Sequence, residues 1–106
     1  MAKKRVIVFD RDGELVVEPP VAELTGGDVM RIVNNTDDDL VWIVSDTTIF
    51  TGGQSVLETI GARRLSSAKT AVSTPNFAAA VPYQLISIKS GRKGKGNSDP
   101  VIIVEN

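Results

Sequence analysis

The feature that most constrains this fold is a regular alternation between short β-branched runs and turn residues. Runs such as RVIVF (5–9), ELVVE (14–18) and VMRIV (29–33) end at sequences that contain glycine, proline, asparagine or aspartate. Several short strands at spacings of about 8–12 residues are typical of sandwiches and barrels. The chain therefore predicts an all-β, Greek-key β-sandwich of seven to eight strands. The expected strands cover 5–9, 14–18, 21–24, 29–33, 40–46, part of 66–77, 83–88 and 100–105.

Two local patterns orient these strands. Pro19 and Pro20 cannot donate to a strand ladder, so they mark a strand edge or a crossing. In the run 29–33, Arg31 lies on one side, which indicates that Met30 and Ile32 face the core on the other.

The segment 51–65 is the one place where a helical pattern appears. Ser55 and Glu58 have the spacing of a capping box, and Gly61 suits the position just after a helix end. We therefore expect at most one short helix around 55–61, with a pair of strands as the alternative.

Composition restricts the chemistry that this chain can perform. Its 106 residues predict a single domain, 1–106, and contain neither cysteine nor histidine. No thiolate nucleophile is therefore possible, and the commonest general base and transition-metal ligand is missing. We expect no cofactor, no metal and no catalytic residues. Serines have no histidine to activate them, so the chain is predicted not to be an enzyme.

The net charge of −1 gives no overall basic field to attract nucleic acid or a membrane. The opening MAKKRVIVFD has too short an apolar run for a signal-peptide core or a membrane span. The expected location is cytoplasmic for the chain as written, or periplasmic or secreted if a leader preceded it.

Two stretches together resemble the cupredoxin family. Within 13–35, a glycine turn, a strand, Pro19 or Pro20, an apolar strand, Gly27-Asp28, another strand and Asn34 occur in the order common in cupredoxins. Residues 81–106 resemble the cupredoxin ending, in which a tyrosine-containing strand runs into a ligand loop and a short apolar strand. The resemblance implies a cupredoxin-like sandwich.

The copper ligands that the resemblance implies are absent. Leu40 stands where blue-copper members have a histidine, and Ser87 stands at or near the cysteine position. The loop 91–99 supplies neither histidine nor methionine. A blue-copper site needs a thiolate and two imidazoles, so type 1 copper chemistry is excluded.

An immunoglobulin-like sandwich is the alternative architecture. Trp42 on an early strand resembles its core tryptophan, and Tyr83 resembles its tyrosine corner. The long glycine-rich loop just before the last strand favours the cupredoxin-like arrangement.

That loop reads GRKGKGNSDP and carries Arg92, Lys93 and Lys95 between glycines that include Gly94 and Gly96. Free backbone amides beside positive charge suit an anion, which gives weak phosphate or nucleic-acid binding through 91–97 as an alternative function. A solvated connection between two strands is the simpler interpretation. Nucleic acid is the less expected ligand, because few aromatic residues are present to stack on bases.

An acidic loop, Asp37, Asp38 and Asp39, forms the second candidate site. Oxygen ligands suit Ca²⁺ or Mg²⁺, so an aspartate-based divalent-metal enzyme is a further alternative, although the EF-hand spacing is missing and a solvated turn is simpler. Asp10 and Asp12 are interpreted as an ordinary turn.

In the cupredoxin arrangement both candidate loops lie at one end of the sandwich. We therefore expect the acidic run 37–39 to neighbour the basic residues 92, 93 and 95. The favoured function is a non-catalytic, metal-free binding or assembly module that contacts a protein partner through loops 36–40 and 91–99. Strands 68–74 and 101–105 are the expected edges for a homo-oligomer, and no membrane contact is expected.

Overall fold

A computed structural model describes residues 2–52, 55–72, 79–94 and 100–105. Within these residues the chain forms nine strands and a single 3-10 turn at Thr47–Ile49. The strands are β1 (Lys3–Arg11), β2 (Glu14–Glu18), β3 (Val21–Thr25), β4 (Val29–Asn35), β5 (Leu40–Val44), β6 (Leu57–Ile60), β7 (Lys69–Thr70), β8 (Ala79–Ser87) and β9 (Val101–Glu105). None of the described residues belongs to a helix long and apolar enough to span a membrane.

The strands pack as two mixed sheets. One has the order β2-β1-β4-β7, and the other has the order β3-β9-β8-β5-β6. The pairs β1·β4 and β3·β9 are parallel, and the other named pairs are antiparallel. The predicted all-β sandwich is confirmed, with nine described strands instead of seven to eight.

The chain changes sheets at Pro19 and Pro20. β2 pairs with β1 in the first sheet, and β3 pairs with β9 in the second. The two prolines between them contribute no N–H group, so no ladder hydrogen bond is lost where the strand leaves one sheet for the other. The predicted crossing is confirmed.

The core lies between the two sheets and follows the alternation of each strand. Met30 and Ile32 are fully buried on β4, as the position of Arg31 predicted. Trp42 is buried at the centre, with its ring centroid 6.4 Å from that of Phe50 and 6.2 Å from that of Tyr83, both edge-on. Such aromatic contacts add to the free energy of burial and fix the packing of β5 against β8.

The segment 51–65 follows the strand alternative instead of the helical one, because strand β6 occupies 57–60. The backbone of β6 pairs with β5, so that Leu40 lies opposite Ile60. The hydroxyl of Ser55 accepts from the amide of Leu57 instead of capping a helix, and Glu58 turns away to bind Ser67. Pairing with a distant strand therefore outweighs a local capping pattern.

The expected edge at 101–105 is also wrong. β9 lies between β3 and β8, so its backbone groups are engaged on both sides. The other expected edge is confirmed in part: β7, at 69–70, is the last described strand of its sheet, whereas 73–74 lie outside the described residues.

An ion pair with a buried lysine joins β7 of one sheet to β6 of the other. The ammonium of Lys69, on β7, lies 3.1 Å from a carboxylate oxygen of Glu58, on β6, and 5.0 Å from the ring centroid of Trp42. Partial burial raises the pKa of Glu58, but hydrogen bonds from Ser67 and the charge of Lys69 outweigh it. The pKa of Glu58 therefore lies below its usual value.

Replacing Glu58 should destabilise the fold in a pH-dependent way. Glu58→Gln leaves the buried Lys69 ammonium without its carboxylate, so we expect a loss of about 1–3 kcal/mol in the free energy of unfolding near neutral pH. The lowered pKa means that the native protein has this stabilisation above about pH 4.5 and loses it as the pH falls through the folded pKa.

Urea unfolding at neutral and acidic pH measures this difference. Glu14→Gln, at an exposed position of β2, is the matched control and should unfold like the wild type. A deficit in Glu58→Gln that is equally large at both pH values would contradict the assignment.

Candidate functional site

Three connections meet at one end of the sandwich, which we call the loop end: the turn 10–13, the loop 36–39 and the segment 88–94. The amide of Ile88 donates to the carbonyl of Asp39 (3.0 Å), which joins the second and third directly. The turn 10–13 joins them because β1 and β4 are parallel and finish at the same end.

Asn34 fixes the shape of the acidic loop. Its side chain is buried at the end of β4, and its amide donates to the carbonyls of Asp38 (2.8 Å) and Gly61 (3.0 Å). Its side-chain oxygen accepts from both the amide and the hydroxyl of Thr36 (3.1 and 2.7 Å). A buried amide with this many partners holds one geometry, so the backbone of Asp38 is set by Asn34.

Arg92 connects all three segments of the loop end. One terminal nitrogen of its guanidinium donates to the carboxylate of Asp10 (2.8 Å) and the carbonyl of Gly13 (3.0 Å). The other lies 3.2 Å from the carboxylate of Asp38, and Nε donates to the hydroxyl of Ser90 (2.9 Å). The hydrogen bond to Asp10, helped by Asp38, raises the pKa of Arg92 further above its usual value. The guanidinium therefore remains charged.

The two positions at which the resemblance implies copper ligands, 40 and 87, make a different kind of contact. Leu40 and Ser87 lie opposite each other on β5 and β8, and both are fully buried. The hydroxyl of Ser87 donates to the carboxylate of Asp38 (3.0 Å). The resemblance implies a thiolate at position 87. Here the hydroxyl of Ser87 instead orients the carboxylate of Asp38, which binds Arg92.

The three carboxylates of the acidic run bind different partners. Asp37 pairs with Arg63 (3.0 Å), and Asp39 accepts from the amide of Ala62 (2.9 Å), whereas Asp38 binds Ser87 and Arg92. Over the part of the chain that the structure describes, no group of three or more His, Cys, Asp or Glu side chains is placed to hold a metal ion.

The basic loop divides into residues with different roles. The expected proximity to the acidic run is present for Arg92 and Asp38, but the donors of Arg92 are already engaged within the protein. Lys93 is exposed, and its backbone bridges to Ile86. Lys95 and Gly96 lie outside the described residues.

Gly94 is required by packing. A Cβ atom there would lie 2.6 Å from Cγ2 of Val17, which no real side chain tolerates, and the amide of Gly94 donates to the carbonyl of Leu85 (2.6 Å). The glycine therefore lets the loop approach the core, and its amide is not available to an external anion.

Asp10 is the site residue that the sequence analysis missed. It was interpreted as part of an ordinary turn, yet it supplies the shortest contact of Arg92. No local signal identifies this partner, because 82 positions separate the two residues.

The exposed surface of the loop end has two shallow depressions. One, of about 200 Å³, is lined by Gly13, Glu14, Leu15, Arg92 and Lys93. The other, of about 240 Å³, is lined by Asp37, Asp38, Asp39, Ile88 and Lys89. Ile88 is 55% exposed, so an apolar side chain stands between groups of opposite charge.

Similar solved structures support a cupredoxin-like fold. A Sinorhizobium pseudoazurin matches with a TM-score of 0.51 and 18% identity over 100% of this chain and 76% of that chain. The McoA multicopper oxidase of Aquifex aeolicus matches with a TM-score of 0.54 and 12% identity over 99% of this chain, which spans 29% of the oxidase. WR4, an MSP family member of C. elegans, matches with a TM-score of 0.51 and 13% identity over 82% of this chain and 92% of that chain.

At these identities the likeness concerns the fold alone. No family model and no curated protein matches the sequence. The immunoglobulin-like alternative also lacks its tyrosine corner: among the described residues the buried hydroxyl of Tyr83 has no hydrogen-bond partner, whereas that motif requires one. The chain is thus a β-sandwich with a cupredoxin-like fold.

Removing the guanidinium of Arg92 should loosen three separate segments together. In Arg92→Met we expect faster amide hydrogen exchange in 10–13, 36–39 and 88–94, because each loses a contact to the same group. Lys93→Met, one position along the chain, is the control and should leave exchange in the first two segments unchanged. Mass spectrometry of peptides measures all three. Faster exchange confined to 88–94 would contradict the role given to Arg92.

Proposed function

We propose that this domain is a non-catalytic, metal-free binding module that uses the loop end to contact a protein partner. The observation that carries the proposal is that the loop end is held together by its own side chains, through Arg92, while Ile88, Lys89 and Lys93 stay exposed. A binding surface needs a stable backbone if its contact residues are to keep one position. At the loop end, the hydrogen bonds of Arg92 stabilise the backbone in this way.

The composition of this surface supports a protein partner over a small ligand. Ile88 provides an apolar centre beside Asp37 and Lys89, and Lys93 adds charge at the other depression. Protein interfaces commonly have an apolar core and a polar rim, whereas small-molecule sites are deeper and mostly apolar. The two depressions here are shallow and charged.

The absence of catalysis is part of the proposal. The sequence has no histidine or cysteine, and four aspartates of the loop end are engaged by Arg63, Arg92 and the amide of Ala62: Asp10, Asp37, Asp38 and Asp39.

Site-specific photo-crosslinking in the native cells tests the proposal. A photoreactive amino acid at position 88 should give one discrete protein adduct, and Lys93→Glu in the same chain should weaken or remove it. The control places the same amino acid at position 57, where Leu57 is 50% exposed on β6. Identical adducts from positions 88 and 57, or no adduct from position 88, would contradict the proposed interface.

A further inference from the structure

The end of the sandwich opposite the loop end carries a second concentration of charge. Because β1 and β4 are parallel, both begin at that end, and their register places Lys3 opposite Val29 and Arg5 opposite Arg31. At a rise of about 3.3 Å per residue, Arg5 lies about 20 Å along β1 from Arg11 at the loop end. We call Lys3, Lys4, Arg5 and Arg31 the basic cluster.

None of the ion pairs formed by the described residues includes a member of the basic cluster. Those ion pairs instead involve Arg63, Lys69 and Arg92. Arg5 and Arg31 face each other across adjacent strands about 4.8 Å apart, where like charges are destabilising. The protein therefore keeps two opposed guanidinium groups at a cost to its own stability.

The backbone beneath the cluster is well anchored. The carboxylate of Asp28 accepts from the amides of Ala2 (2.7 Å) and Thr25 (2.9 Å), and the amide of Val29 donates to the carbonyl of Ala2 (2.9 Å). The hydrogen bonds from Ala2 and Thr25 lower the pKa of Asp28, so these bonds persist over the physiological pH range. The start of β1 is thus fixed against β4, and the cations project from a rigid sheet.

A depression of about 290 Å³ lies within the cluster, lined by Lys3, Lys4, Arg5, Val29 and Arg31. This volume is at the lower end of the range for small-molecule sites, which begins at about 300 Å³. Two neighbouring arginines can each donate two hydrogen bonds to the oxygens of a phosphate. Lysines add positive charge and do not require one hydrogen-bond geometry.

We propose that the basic cluster is a binding site for a phosphate-bearing anion, with Arg5 and Arg31 as its principal ligands. The anion supplies negative charge in addition to that of Asp28, whose carboxylate interacts electrostatically with Lys4 but forms an ion pair with neither arginine. The site goes beyond the proposed function, because it lies at the other end of the molecule and shares no residue with the loop end.

Titration with inorganic pyrophosphate, followed by NMR at constant ionic strength, tests the proposal. We expect saturable shifts of the amides of 3–5 and 29–31. Arg5→Gln/Arg31→Gln should weaken binding by about tenfold for each arginine removed, as expected for hydrogen bonds to an ionised group. The matched control is Arg11→Gln/Arg64→Gln, which changes the net charge equally on exposed residues elsewhere and should bind as the wild type does.

A second arm distinguishes a soluble phosphate from a lipid headgroup. Co-sedimentation with phosphatidylcholine vesicles, with and without phosphatidic acid, shows whether the acidic lipid recruits the protein through the same two arginines. Loss in the Arg5/Arg31 variant in either arm supports the site and identifies the source. Equal binding by both variants, or no binding of the wild type in either arm, overturns the proposal.

Thermal unfolding separates a ligand site from a structural role. If the arginines serve a ligand, Arg5→Gln/Arg31→Gln should melt at the same temperature as the wild type or higher, because a repulsion is removed. A lower melting temperature would assign the pair to the fold and overturn the proposal.

Discussion

The guanidinium of Arg92 is the contact on which the loop end depends. A β-sandwich is held along its length by strand ladders and core packing, but its end connections have neither. Here one planar cation with five donors reaches Asp10, Gly13 and Asp38, which belong to two other connections. Asn34 and Ser87 hold Asp38 from the other side, so the network extends from the fully buried layer to the surface.

This arrangement explains how a cupredoxin-like fold persists without the ligands that the family resemblance implies. Leu40 and Ser87 lie opposite each other and are buried. The segments of the loop end are instead joined by the charged hydrogen bonds of Arg92. The loop end is held together by its own side chains, which suits a recognition surface. The opposite end carries the basic cluster, which takes part in none of the ion pairs of the described residues, so the two ends of one sandwich offer different surfaces.

Much of the fold follows from the sequence because strand alternation and turn residues are local signals. Met30 and Ile32 are buried as their pattern predicts, and Pro19 marks the change of sheet. The errors arise where distant pairing decides the outcome. The segment 57–60 becomes a strand because β5 offers an unpaired edge, and 101–105 becomes central because β3 pairs with it in parallel. The partnership of Asp10 with Arg92 is invisible for the same reason, since only the fold brings them together.

The most direct test of this account is a double-mutant cycle between Arg92→Gln and Asp38→Asn, measured by urea unfolding. Both side chains are partly shielded from solvent, with 30% and 19% exposed, so their pairing should register as a coupling. The account predicts that the double variant loses clearly less stability than the sum of the two single variants. Losses that simply add would show that Arg92 and Asp38 act independently, and the loop end would then need another explanation.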